Sequence, residues 1–110
     1  MSRVIELTPT EFRRRWPEGN SAAVVLLDVR DLQELALAKV QQATHIPMRE
    51  VPQRLHELDP AKPLVVMCHS GGRSRRVAEF LSTRGFEEIY NLAGGIDAWA
   101  AQVDPSVPRY

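Results

Sequence analysis

A parallel α/β sheet with helices packed on both faces is the fold class this sequence predicts, and three observations predict it. Apolar runs alternate along the chain with segments of helical spacing, the order expected where each strand is followed by a crossover helix. Two of those runs, residues 22–27 and 64–68, are unbroken rather than alternating, the pattern of strands covered on both faces. The 110 residues suffice for one compact domain, and no repeat, low-complexity stretch or linker divides them.

The elements follow in order. Residues 4–7 read as a short edge strand. Thr8, Pro9 and Glu11 then supply an N-cap, a proline at the first helical position and a capping-box glutamate. That helix carries Phe12 and Trp16 and stops before Pro17 and Gly19. The strand over 22–27 ends at Asp28-Val29-Arg30. Asp31 and Glu34 form a second capping signature, opening a helix to about Lys39. Residues 43–46 predict a short strand stopped by Pro47. Val51, Leu55 and Leu58 lie at helical spacing over 51–58, and Pro60 and Pro63 mark a turn. After the 64–68 strand comes a helix with Val77, Phe80 and Leu81 on one face and Gly85 as its C-cap. Residues 88–92 form a last strand, and Gly94-Gly95 leads into a helix holding Ile96, Ala98 and Trp99. From about residue 103 the chain reads as an irregular tail. The domain expected is therefore 1–110.

Composition removes several function classes. Acidic and basic residues balance at 14 each, so no global charge draws the chain to nucleic acid. No apolar stretch approaches the roughly 20 residues of a membrane span. The stretch Met1-Ser2-Arg3-Val4-Ile5-Glu6 lacks the apolar core of a leader peptide. A single cysteine makes no internal disulfide, so a reducing, cytoplasmic setting is expected. A monomer meets every demand the sequence makes.

That cysteine is the most informative residue. Cys68 ends the apolar run Leu64-Val65-Val66-Met67 and is followed by His69-Ser70-Gly71-Gly72-Arg73-Ser74. It therefore sits between a strand's C-terminal end and a helix's N-terminus, the edge where open α/β sheets place their ligands. Two glycines let the backbone curl so that successive N–H groups point inward as an anion nest. A helix N-terminus and Arg73 both favour the thiolate. The chemistry indicated is a sulfur nucleophile facing an anionic substrate, with Arg73 offering paired N–H donors.

Several segments in order resemble the rhodanese family of sulfurtransferases. They are Asp28-Val29-Arg30 with Glu34, Ile46-Pro47, the loop from Cys68 to Ser74, and the closing block Asn91-Leu92-Ala93-Gly94-Gly95-Ile96-Asp97-Ala98-Trp99. Where the family writes His-Ile-Pro-Gly-Ala, this chain has Lys39-Val40-Gln41-Gln42-Ala43. The resemblance implies a single rhodanese-like domain with a five-stranded parallel sheet. It also implies a thiosulfate-type sulfurtransferase: Cys68 takes a sulfane sulfur as a persulfide and passes it to a thiophile, cyanide in assays or a cellular thiol. His69, Ser70, Gly71, Gly72, Arg73 and Ser74 would line the substrate site, with N–H groups from His69 to Ser74 and the hydroxyls of Ser70 and Ser74 as donors. Neither a metal nor an organic cofactor is expected. Two alternatives stand beside this reading. One is a sulfur-relay or regulatory module that carries the persulfide to a protein acceptor. The other is a phosphatase or arsenate reductase, disfavoured because Cys68 and Arg73 enclose four residues where those loops enclose five.

The remaining candidates take plainer roles. His69 reads as pocket lining rather than a base, and Glu34 as a helix cap rather than an active-site acid. Asp28 and Arg30, at the neighbouring strand's end, read as supports that brace the loop by hydrogen bonds. Arg75 and Arg76 read as solvated, as does the Arg13-Arg14-Arg15 face. Trp16 and Trp99 read as core aromatics, and Gly94-Gly95 as a structural turn. His45 and His56 have no partners at zinc-ligand spacing.

Overall fold

The computed structural model describes residues 3–19 and 22–110; Met1 and Ser2, where the leader reading begins, lie outside the described residues. Five strands build one parallel sheet: β1 (Ile5–Leu7), β2 (Val25–Asp28), β3 (Thr44–His45), β4 (Leu64–Met67) and β5 (Ile89–Leu92). Their spatial order is β1-β5-β4-β2-β3. The helices are α1 (Pro9–Arg15), α2 (Leu32–Leu37), α3 (Gly72–Ser82) and α4 (Gly95–Gln102), with a 3₁₀ segment at Met48–Glu57.

Side-chain alternation in the central strands feeds two cores. Leu26, Val65, Met67 and Leu92 pack with Phe12 of α1 and Ile96, Trp99 and Ala100 of α4 on one face. Leu27, Leu64, Val66 and Ile89 pack with Val77, Ala78 and Leu81 of α3 and with Val51 on the other. Cys68 continues the Leu64–Val66 alternation onto this second face, beneath the start of α3. Capping agrees with the sequence: Thr8 Oγ1 accepts from Glu11 N–H at 3.1 Å, and Asp31 with Glu34 closes a capping box.

Three elements differ from expectation. The strand expected over 22–27 begins at Val25, and Ala22 and Ala23 are exposed bends before it. The segment over 51–58 is 3₁₀ rather than α, running from Met48 to Glu57 with a kink at Arg54. Pro52 lies inside it and has no N–H for an α-helical bond. The apolar face is nonetheless the expected one, since Val51 and Leu58 are buried. Helix α2 stops at Leu37, because Ala38 is extended (φ −160°, ψ 145°) and the chain then sends Ala38 and Val40 into the core. The departure from the family pattern at 39–43 thus forms a turn, closed by Ala43 N–H to Val40 O at 3.1 Å.

Topology locates the site. The connection after β4 leads to β5 on one side, while that after β2 leads to β3 on the other. The loops following β2 and β4 consequently part at the C-terminal edge, at the switch point where α/β sheets bind ligands.

Candidate active site

The sulfur of Cys68 is cupped by its own following turn. Gly71 N–H donates to Sγ at 3.1 Å and the Ser74 hydroxyl at 3.3 Å. The curl depends on Gly71, whose φ of +113° is strained for any residue with a Cβ. Gly72 is different: its φ is not positive and the space around it is open, so only one of the two loop glycines is required by the backbone.

The N-terminus of α4 holds the loop from behind. Ile96 N–H donates to Cys68 O at 2.9 Å and Asp97 N–H to His69 O at 3.1 Å. A Cβ on Gly95 would lie 2.4 Å from both carbonyl oxygens, so this glycine permits the close approach. Both carbonyls are thereby held toward α4, while the N–H groups of Ser70, Gly71 and Ser74 act on the sulfur. The expected structural turn at Gly94-Gly95 is therefore a backrest for the loop.

Cys68 is buried, with 1% of its surface exposed. Burial pushes the thiol pKa up, but the Ser74 hydroxyl and the N–H groups of Ser74, Gly71 and Ser70 outweigh it, and the net shift is downward. The arrangement stabilises negative charge on sulfur without a base. The His69 ring lies flat on Tyr110, centroids 4.0 Å apart and planes at 9°, instead of meeting the sulfur. Ser70 contributes its backbone, while its side chain is exposed.

Arg73 is already paired in the structure. Nη1 and Nη2 donate to Glu34 Oε2 and Oε1 at 2.7 and 2.9 Å, and the group lies within electrostatic reach of Cys68. A carboxylate presenting two oxygens matches the guanidinium fork, and it claims the donors expected for substrate. Glu34 is thus more than a cap. Arg73, then the Asp31 N–H and the Tyr110 hydroxyl, overcome its partial burial and bring its pKa down to about 2.

Asp28 and Arg30 form a buried pair, 1% and 0% exposed, joined through Nε at 3.0 and 3.1 Å and Nη2 at 2.7 Å. They brace the turn after β2 rather than the Cys68 loop itself: Asp28 also accepts from Arg30 N–H, and Arg30 Nη1 reaches Glu34 O and the Tyr110 hydroxyl. Their link to the loop runs through Glu34. Despite burial, Asp28 and Tyr110 hold the Arg30 pKa above its usual value.

Asn91 is a site residue that sequence reasoning missed as such. Buried on β5, it accepts from Ser74 Oγ at 2.5 Å and donates through Nδ2 to Gly71 O at 3.0 Å and to both Glu6 oxygens at 3.1 Å. One amide thus fixes both groups that reach the sulfur. A polar residue inside the run Ile89-Tyr90-Asn91-Leu92 was the available signal. Arg75, expected to be solvated, is half-exposed and paired with Glu6 and Glu79. Among the described residues no group of three His, Cys, Asp or Glu side chains is placed to hold a metal ion. No helix among them is long and apolar enough to cross a membrane.

Comparison with known proteins matches this architecture. The rhodanese-like domain family model covers residues 8–102. Thiosulfate sulfurtransferase GlpE of Pseudomonas syringae pv. syringae (strain B728a) is 35% identical over 94 residues, 82% of this chain and 89% of that protein. The rhodanese-like/PpiC domain-containing protein 12 of Arabidopsis thaliana is 39% identical over 89 residues, 77% of this chain, and the match covers 30% of that longer protein. The crystal structure of a rhodanese-related protein from Thermoplasma volcanium aligns with a TM-score of 0.80 at 27% identity, covering 96% of this chain and 99% of that one. Sheet order, loop position and family match run through nearly the same residues, and the chain belongs to the rhodanese-like domain family.

Proposed function

We propose that this protein is a sulfurtransferase that moves sulfane sulfur from thiosulfate or a similar donor to a thiophilic acceptor, carrying it on Cys68. The observation behind the reading is the sulfur of Cys68 facing the Gly71 N–H and the Ser74 hydroxyl at 3.1 and 3.3 Å. The similarity to a protein named thiosulfate sulfurtransferase supports the donor class. No cofactor is needed for either step.

In the first step the Cys68 thiolate attacks the outer sulfur of thiosulfate. An S–S bond forms, the donor's sulfur–sulfur bond breaks, and sulfite leaves with the electron pair. The outer persulfide sulfur then carries the negative charge, and inward N–H groups stabilise it by fixed dipoles. In the second step an acceptor thiolate, or cyanide, attacks that outer sulfur and Cys68 leaves as thiolate. His69 to Ser74 line the path, and Asp28 and Arg30 support it through Glu34. Small-molecule donors, a thiol or protein acceptor, and a reducing cytoplasm fit a single free cysteine. Arg73 is held on Glu34, which weighs against a phosphate-cradling loop.

Intact mass spectrometry tests the reading. Thiosulfate should add one sulfur atom's mass to the protein, cyanide should remove it, and Cys68→Ser should not load. A serine variant that keeps thiosulfate:cyanide activity would overturn the assignment. Discharge to a protein thiol but not to cyanide would make the domain a carrier.

A further inference from the structure

The loop from Cys68 to Arg73 is fastened at both ends by side chains, and both fastenings run to Tyr110. At the near end the His69 ring stacks on the Tyr110 ring. At the far end Arg73 is clamped on Glu34, and the Tyr110 hydroxyl donates to the same Oε1 at 2.8 Å. That hydroxyl also accepts from Arg30 Nη1 at 3.0 Å, which anchors it to the buried Asp28–Arg30 pair. Its single proton and its acceptor capacity are both used, each toward a partner of the right sign. Burial, with Glu34 adding to it, raises the phenol pKa despite Arg30, so the hydroxyl keeps its proton.

The segment carrying Tyr110 is itself secured. Val107 is buried in the core beside α4, Asp104 N–H donates to Trp99 O at 3.0 Å, and Arg109 bonds both Asp97 oxygens at 2.9 and 3.0 Å. The family model's match ends at residue 102, eight residues before Tyr110.

We infer that Tyr110 is a positioning residue of the Cys68 loop, holding His69 and the Arg73–Glu34 pair at fixed separation so that the amides between them stay aimed at the sulfur. Its effect on turnover rests on the sulfurtransferase reading; its effect on the thiol does not. Gly71 and Gly72 give this loop a freer backbone than residues with a Cβ would, and a cradle of dipoles works only when held in place. His69 and Arg73 carry the loop's two long side chains, and Tyr110 restrains both.

The test uses the chain as Tyr110→Phe, Tyr110→Ala and Ser106→Ala. The first readout is the rate of Cys68 alkylation by iodoacetamide against pH, which needs only the thiol. The second is single-turnover loading from thiosulfate, read by intact mass. Tyr110→Ala should move the alkylation midpoint upward and slow loading about tenfold, the size of one charge-assisted hydrogen bond. Tyr110→Phe, which keeps the stack and loses the hydroxyl, should fall between it and wild type. Ser106→Ala, which removes an exposed hydroxyl bonded to Asp104 and touching neither the loop nor Tyr110, should keep the wild-type midpoint. An unchanged midpoint in Tyr110→Ala overturns the inference, as does an equal shift in Ser106→Ala. Wild-type protein that never loads would overturn the sulfurtransferase reading, while the alkylation profiles would still decide the role of Tyr110.

Discussion

The hydroxyl of Ser74 stands 2.5 Å from Asn91 Oδ1 and 3.3 Å from the sulfur of Cys68, so one proton faces two acceptors. With a neutral thiol the proton serves Asn91. With a thiolate or a charged persulfide the sulfur's claim is stronger. Asn91 keeps Ser74 where this exchange is possible, because its Nδ2 is tied to Gly71 O and Glu6. Ser74→Ala should therefore raise the midpoint of Cys68 alkylation and slow sulfur loading by roughly ten- to a hundredfold, the range for a hydrogen bond to a charged group. A pH profile of alkylation checks the first effect and rapid-quench mass analysis the second.

Much of the sheet and the position of the loop were legible because their signals are local. Unbroken apolar runs marked β2 and β4, and the cysteine before Gly71-Gly72 marked the crevice. What supports the loop was not legible, because it depends on residues far apart in the chain. Arg73 and Glu34 are separated by 39 positions and Asn91 and Glu6 by 85, and no spacing rule joins them. Glu34 also hid behind a correct but incomplete role, since its Oε2 caps Asp31 N–H at 3.0 Å while the carboxylate holds Arg73. Tyr110 was hidden for a third reason: two prolines after Asp104 read as irregular chain, which says nothing about where such chain docks.

The Glu34–Arg73 clamp gives a pH dependence of known sign. The Glu34 pKa is lowered from 4.5 to about 2 in the folded protein. Its carboxylate therefore stabilises the fold fully above about pH 4.5, and that contribution is lost as pH falls toward 2. Urea midpoints of wild type and Glu34→Gln should differ by a constant amount above pH 4.5 and converge through pH 2. A difference that grows on acidification would show that the pair does not ionise as described.

Asp28 and Arg30 predict a stability effect rather than a chemical one. Removing the carboxylate strands a fully buried guanidinium whose remaining acceptors are Glu34 O and the Tyr110 hydroxyl. Asp28→Ala should cost about 3–5 kcal/mol of folding stability. Urea denaturation measures the loss. A loss under 1 kcal/mol, on the order of an exposed pair, would mean water reaches Arg30.

The two loop glycines separate backbone need from free space. Gly71 has φ +113°, whereas Gly72 has no positive φ and nothing within 4 Å of an added Cβ. Gly72→Ala should be neutral or stabilise the protein by up to about 1 kcal/mol, since it restricts the unfolded chain and opens helix α3 with a better helix former. Gly71→Ala should cost about 1–2 kcal/mol and pull its N–H away from the sulfur, raising the Cys68 alkylation midpoint. Thermal melts and alkylation profiles of the two variants, run side by side, check the contrast. Equal behaviour of the pair would mean that the curl of the loop, and with it the N–H directed at Cys68, does not depend on the positive φ at residue 71.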